Sequence, residues 1–417
     1  MLKKAIIALA LILVVTAFIF IRQQPAPHSA TVYPEAAANL WSVRSIDTMK
    51  YSRDLAKSKL ADPTFDAVIN TQLTAIKNAG ANYVAIGTPY DQEFLPFLRR
   101  WVSAARQHQL AVWFRGNWSG WEGWFDHPFI SQSEHIKKTV AFVTSNSDLF
   151  KTGDIFTPCP ECENGHLGDP RFVGEVADYR TFLRELKDQT QKAFDKINKT
   201  VSVGYFSMNG DVAALVMDPP TTNALDDTVV VDHYVYSPQT LVADIKVMAE
   251  ASQGNVVLGE FGAPISDIHG KFSQAQQADW ITELLDGLAR TPAVTGLNYW
   301  VSFGGSTQLW NEDGSSREAV SALAAFYQPA SLRGQVVDSR NHPIKDALVK
   351  TKYRQTFTDS HGYFVLPFVV GENKNFEVSS AGFSSKTVTV FNLDDINEIE
   401  LISLNQTIFD RVQQWFK

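Results

Sequence analysis

Cysteine is nearly absent from this chain, with two in 417 residues, Cys159 and Cys162. That excludes a small fold stapled by many disulfides and a zinc site of four thiolates. His166 alone does not complete a ligand set with the pair, so no metal is expected, and no compact βαβ unit around them marks a thioredoxin-like redox site. A local disulfide bracing its loop, or two free thiols, is the reading of the Cys-x-x-Cys spacing. Positive charge is also in deficit: 37 Lys and Arg stand against 45 Asp and Glu, for a net charge of −8. With no basic run beyond the N-terminus, a general nucleic-acid binder is excluded. No Gly-rich phosphate loop follows the first strand candidate, and the lone Gly116 and Gly120 do not make one. Long apolar runs are lacking too, except for one at 5–21, preceded by Lys3 and Lys4 and closed by Arg22. It is a secretory signal peptide or an uncleaved membrane anchor. No small-x-small cleavage site stands out, which favours the anchor, with the two lysines on the cytoplasmic side and 23–30 as a short tether. In both readings the remainder is exported, to the outward face of the cell envelope or beyond it.

What is present is ordinary globular material, 45% hydrophobic and 20% charged, enough for more than one core. From about residue 40 to 327, β-rich runs at 40–45, 83–87, 110–115, 154–158, 201–206, 229–235, 256–261 and 296–301 alternate with amphipathic stretches. Several of these open with capping signals such as Asp62-Pro63, Ser131 and Ser273. Eight strands alternating with helices predict an α/β fold, a (β/α)8 TIM barrel. After Pro329 the helical period disappears, and short β runs separated by turn signals predict a small β-sandwich. The expected organisation is thus 1–30 anchor or signal with tether, 31–329 barrel, 330–402 sandwich and 403–417 amphipathic tail. The tail places Ile408, Val412, Trp415 and Phe416 on one helical face. The words Gly334-x-Val336-x-Asp338, Pro343-Ile344-x-x-Ala347-x-Val349, Thr358-Asp359-x-x-Gly362-x-Phe364 and Ser380-Ala381-Gly382-Phe383 resemble the carboxypeptidase regulatory-like domain family. That resemblance implies a structural or surface-attachment module without catalytic residues.

In such a barrel the chemistry lies where the strands end. The fourth strand candidate runs into Cys159-Pro160-Glu161-Cys162-Glu163-Asn164, and the seventh into Gly259-Glu260-Phe261-Gly262. Carboxylates at the rim of a packed core are costly unless used or paired, and glycoside hydrolysis uses two, one protonated and one ionised. These words resemble the clan of retaining (β/α)8 glycosidases that includes glycoside hydrolase family 5. The resemblance implies Glu161 as acid/base and Glu260 as nucleophile, with no cofactor, and a β-linked glycan or oligosaccharide as the partner. It further implies Trp300 and Asn298, in Asn298-Tyr299-Trp300, at the sugar subsite, and Tyr234 or His233 beside the nucleophile. Pro160 stands where the family has an Asn, so Glu163 is the alternative acid/base. The family's arginine at the second strand is also missing, and Arg115 or Arg44 is expected to supply that charge. Trp118, Trp121 and Trp124, three apart, suit either a stacking platform for a glycan or the packing of a long loop. A monomer is expected. The competing readings are a non-catalytic carbohydrate-binding or scaffold protein and a transglycosylase using the same pair.

Overall fold

The computed structural model describes residues 39–404 apart from 166–168, 174–175, 370, 372–374, 391–392 and 394–396. Eight parallel strands form one curled sheet: β1 (Val43–Asp47), β2 (Tyr83–Ile86), β3 (Ala111–Phe114), β4 (Ile155–Phe156), β5 (Ser207–Asn209), β6 (Thr228–Asp232), β7 (Asn255–Phe261) and β8 (Val294–Tyr299). Their order is β4-β3-β2-β1-β8-β7-β6-β5, and the two edges meet through a parallel bridge between Ile155 and Ser202. The result is a TIM-like barrel. Its strands are buried on both faces, which is why they read as nearly continuous Val/Ile/Leu runs rather than alternating ones.

The helices between the strands start where side chains satisfy orphan N–H groups. Ser131 accepts from the Glu134 amide, Ser237 from the Thr240 amide, and Ser273 forms a reciprocal box with Gln276. Asp62 is not itself a helix cap. It ties the Thr64 amide and hydroxyl one turn ahead of the helix that begins at Phe65.

Two strand expectations shift. The first strand begins at Val43 because Leu40 and Trp41 are buried beneath the barrel instead of pairing in it. The fifth run, expected at 201–206, is broken near Gly204, where any side chain would strike the Leu225 carbonyl oxygen. Ser202 bridges β4 and only Ser207–Asn209 ladders with β6, so one apolar run serves both edges of the seam.

Seven further strands follow: β9 (Ala330–Asp338), β10 (Leu348–Lys350), β11 (Gln355–Phe357), β12 (Tyr363–Phe368), β13 (Asn375–Ser379), β14 (Lys386–Thr389) and β15 (Asn397–Leu401). They make a four-stranded sheet, β11-β10-β13-β14, and a three-stranded one, β12-β9-β15. Both sheets contribute to one apolar core around Val336, Val349, Phe364, Phe376 and Ile399. This unit docks where the barrel strands begin. Tyr353 donates to Asp286 at 2.7 Å and packs on Phe326, Lys352 pairs with Asp286, and Arg354 donates to the carbonyls of Ala289 and Leu40. A cavity of about 600 Å³ lies at this seam, lined among others by Trp41, Val294 and Tyr353.

No helix among the described residues is long and apolar enough to cross a membrane. The apolar run at 5–21 and the amphipathic tail at 405–417 both lie outside the described residues.

Candidate active site

The ends of β1, β3, β6 and β7 converge on one fully buried guanidinium. Arg115, just past β3, donates through Nη1 to Asp47 Oδ2 at 2.9 Å and to Glu260 Oε1 at 3.0 Å. Its Nη2 donates to Ser207 Oγ and to Asp232 Oδ2, both at 3.0 Å. Burial alone would lower the arginine pKa, but Asp232, Glu260 and Asp47 together raise it, so the cation is permanent. Asn298 is wholly buried and spends its amide on Asp47 Oδ2 and the Gly259 carbonyl. The expectation that Asn298 lines the sugar subsite is therefore corrected: it holds Asp47, which holds Arg115. Arg44 sits at the opposite end, donating to the carbonyls of Trp41 and Gly80, and supplies nothing to this cluster.

Glu260 reaches the cluster because β7 bulges. Its register against β6 runs Val231 to Leu258 and then Asp232 to Glu260, so one extra residue is inserted at Gly259. A bulge re-aims the side chain that follows it. Gly259 is needed there, since a Cβ would lie 2.3 Å from Asp232 Oδ1. The other carboxylate oxygen, Glu260 Oε2, accepts from the Tyr234 hydroxyl at 3.0 Å. Burial raises the Glu260 pKa to about 7, opposed by Arg115 and Tyr234 and reinforced by Glu161. His233 turns outward instead, its Nε2 lying 2.9 Å from Asp244 on the Pro238–Ser252 helix. That placement makes His233 part of the helical layer and leaves Tyr234 alone beside Glu260.

The loop after β4 carries the second carboxyl. Cys159 and Cys162 are disulfide-bonded, and Glu161 between them adopts a left-handed backbone, φ 41° and ψ 51°. A non-glycine residue held there costs roughly 1–2 kcal/mol, so the surrounding structure must impose it. The disulfide does so, together with the Glu161 amide donating to the Ser207 carbonyl at 2.8 Å. Among the described residues the half-buried Glu161 carboxylate receives one hydrogen bond, from Asn164 at 3.1 Å. Burial and the neighbouring Glu163 raise its pKa. Glu163 is 2% exposed and committed: Oε1 accepts from the Asn209 amide and side chain, and Oε2 from Tyr179 at 3.2 Å. The geometry thus leaves Glu161 available and ties Glu163 into the loop.

The tryptophans divide. Trp118, 5% exposed, packs against Tyr90 and Phe142 and donates to Thr139, while Trp121, 2% exposed, stacks on Phe182 and donates to the Cys162 carbonyl. The platform expectation for Trp118 is corrected on these grounds, since a ring without an accessible face cannot stack on a sugar. Trp300 is half-buried and meets the Tyr234 ring edge-on at 6.2 Å, with Lys50 Nζ 5.6 Å from its centre. Its indole nitrogen has no hydrogen-bond partner among the described residues. Phe172 and Tyr236, on the loops that follow β4 and β6, are 84% and 75% exposed.

Three participants escaped the sequence reading. Asp47 and Ser207 lie on β1 and β5, where no motif drew attention, although a carboxylate closing an apolar strand is a signal that could have found Asp47. Glu122 lies in the tryptophan loop, half-buried, accepting from Asn117 Nδ2 at 2.9 Å, with its pKa raised by burial to about 8. Among the described residues no cluster of His, Cys, Asp and Glu is arranged to hold a metal ion.

Residues 331–402 match the carboxypeptidase regulatory-like domain family. The chain is similar in structure to GH5_18 from Bifidobacterium longum subsp. infantis, at 15% identity and a TM-score of 0.51, over 73% of this chain and 87% of that one. It is similar to GH5_18 from Streptomyces cattleya in complex with GlcNAc, at 16% identity and a TM-score of 0.50, over 71% and 85%. An FMN-binding beta-glucuronidase from Facaelibacterium prausnitzii L2-6 aligns at 10% identity and a TM-score of 0.45 over 80% of this chain, which spans only 53% of that protein's length. No curated protein sequence matches. At these identities the likeness is one of fold.

Proposed function

We propose that this chain is a retaining glycoside hydrolase acting on a β-linked glycan or oligosaccharide, with Glu260 as nucleophile and Glu161 as acid/base. The observation that carries the reading is the bulged Glu260. It is held by two donors that favour its carboxylate, Arg115 and Tyr234, and it interacts electrostatically with a less supported Glu161. Burial raises both carboxyls, and the neighbouring Glu161 adds to the rise at Glu260. In this reading Glu260, held by the guanidinium and the phenol, is the ionised partner, and Glu161, with a single amide donor, is the protonated one.

In the first step Glu161 donates that proton to the glycosidic oxygen as Glu260 attacks the anomeric carbon and the leaving sugar departs. In the second, Glu161 takes a proton from water, which attacks the anomeric carbon and breaks the ester to Glu260. Arg115 steadies the nucleophile's charge in both. Trp300 offers an apolar floor beside the pair, and the exposed rings of Phe172 and Tyr236 suit stacking on further sugar units. The fold shared with the GH5_18 structures, one of them holding GlcNAc, is consistent with a sugar ligand. We place the chain at the outward side of the cell envelope, attached through its N-terminal apolar run.

One departure favours a second reading. Pro160 precedes Glu161 where the related glycosidases carry a sugar-binding Asn, so a carbohydrate-binding protein without turnover is the alternative. A panel of aryl and oligosaccharide β-glycosides, with product stereochemistry followed by NMR, tests both. Net retention that disappears in Glu260→Gln supports the hydrolase; glycan binding without turnover in either protein replaces it with the binding reading.

A further inference from the structure

Beside the proposed catalytic pair runs a line of buried polar groups that the double displacement does not use. His135, fully buried, lies with Nε2 3.0 Å from Asn117 Oδ1. Burial, helped by Lys138, lowers its pKa to about 3, so the ring is neutral, and Nε2 is its donor because it faces an amide oxygen that also accepts from the Trp118 amide. That fixes which way the Asn117 amide points. Its nitrogen donates to Glu122 Oε1 at 2.9 Å and approaches Cys159 Sγ at 3.7 Å. The line thus runs from the helical layer to the disulfide that brackets Glu161. Next to Glu122, Trp121 latches the same loop onto the Cys162 carbonyl at 3.1 Å.

Buried polar chains are expensive unless every member is satisfied or the last one is kept for a ligand. Here His135 leaves Nδ1 without a partner among the described residues, inside the helical layer, and the outermost member is Glu122. Its Oε1 is committed as an acceptor, and no hydrogen bond among the described residues reaches Oε2. The residue is half-buried, on the short helix that follows the C-terminal end of β3, on the catalytic face. We propose that Glu122 is a third substrate-contacting residue of this site, its free oxygen donating a hydrogen bond to a hydroxyl of the sugar bound beside Glu161.

The groups that set its charge are few. Burial raises the carboxyl to about 8, against the pull of Asn117; Glu161 and Glu163 on the β4 loop push the same way as burial, and Arg53 on the β1 loop opposes them. His135 behind Asn117 is neutral, and Asp91 is engaged by the Ser119 amide and Lys138. At neutral pH Glu122 therefore carries a proton. With Oε1 receiving the Asn117 amide, that proton sits on Oε2, where a sugar oxygen accepts it.

The inference rests on the glycan-binding part of the proposed function and is tested apart from turnover. Binding of β-1,4-linked gluco-, manno- and N-acetylglucosamine tetrasaccharides to the Glu260→Gln protein is measured by calorimetry from pH 6 to 9.5. Kd for the best binder is expected to rise about 3- to 10-fold as pH passes 8, the loss of one hydrogen bond. Adding Glu122→Gln, whose amide is a donor at every pH, should abolish that rise, and Glu122→Ala should show the weaker binding at all pH values. A Kd flat across the range, or unchanged in Glu122→Ala, overturns the proposal. The infrared C=O stretch of a protonated carboxyl, lost in Glu122→Gln at pH 6.5, checks the proton directly. Absence of that band also overturns it. Failure of the hydrolase reading looks different: the tetrasaccharides bind with this pH profile, yet the wild-type chain turns none of them over.

Discussion

The two cores of this molecule bury polarity on different terms. In the sandwich, the buried polar side chains among the described residues are Thr351 and Thr358, and both serve the backbone: Thr358 receives the Ala347 amide and donates to the Ile344 carbonyl. The barrel mouth buries a guanidinium with three carboxylates, a fourth carboxylate at Glu163, and orphan atoms at Asp232 Oδ1, Asn298 Oδ1 and Arg115 Nε. Taking such ions out of water costs several kcal/mol each, which good geometry only partly returns. A core that must only hold together does without them, as the sandwich does. Buried charge also occurs where the strands begin, at Arg44 and at Asp154 paired with Arg106, but the guanidinium shared by three carboxylates lies where they end.

The difference can be broken at its strong end first. Glu260→Gln should lower kcat on the order of a thousand-fold or more, with the fold intact by circular dichroism. Glu161→Gln should cost about 10²–10⁴-fold on natural glycosides and much less on aryl glycosides with good leaving groups, as steady-state kinetics on the two substrate types would reveal. Arg115→Leu removes the one cation from three carboxylates and should destabilise by about 3–5 kcal/mol in urea unfolding, far more than its shape change explains. A like figure is expected for Phe376→Ala in the sandwich, but from a cavity alone, with kcat on short glycosides unchanged. If that variant silences the barrel, the two regions are not independent and the comparison fails.

A smaller effect concerns pH. Glu260, Glu161 and Glu122 all have folded-state pKa values above their unfolded ones. The stability they contribute is therefore complete below about 4.5 and is lost as pH rises, for Glu260 and Glu122 through about 7 and 8, with Glu161 acting in the same direction. Thermal scans should show a lower Tm at pH 8.5 than at pH 5, and the drop should shrink in Glu122→Gln. Because Glu260, as the proposed nucleophile, must ionise, kcat/KM should also fall as pH goes below about 7.

Much of this arrangement was readable from the chain, for identifiable reasons. Strands buried on both faces announce themselves as apolar runs, and Gly-Glu at the end of β7 stands out because the glycine makes room for Asp232. The resemblance left Tyr234 or His233 beside Glu260, and it is Tyr234 that donates to Glu260 while His233 turns to Asp244. Tryptophan spacing was a poor guide. Trp118 and Trp121 look like a platform in one dimension, yet their loop folds back so that both rings face the helices. Glu122 carried no signal at all, since its environment is assembled from His135, Asn117 and the β4 loop, which only tertiary structure brings together.

The seam between the sandwich and the barrel has a directional consequence. Arg354 and Tyr353 grip the barrel beneath the starts of its strands, and the described chain enters at that same end, at residue 39. Both covalent leads out of the barrel thus depart from behind it. Among the described residues, neither lead crosses the end of the barrel where Arg115, Glu260 and Glu161 lie, so that face stays open to whatever approaches it.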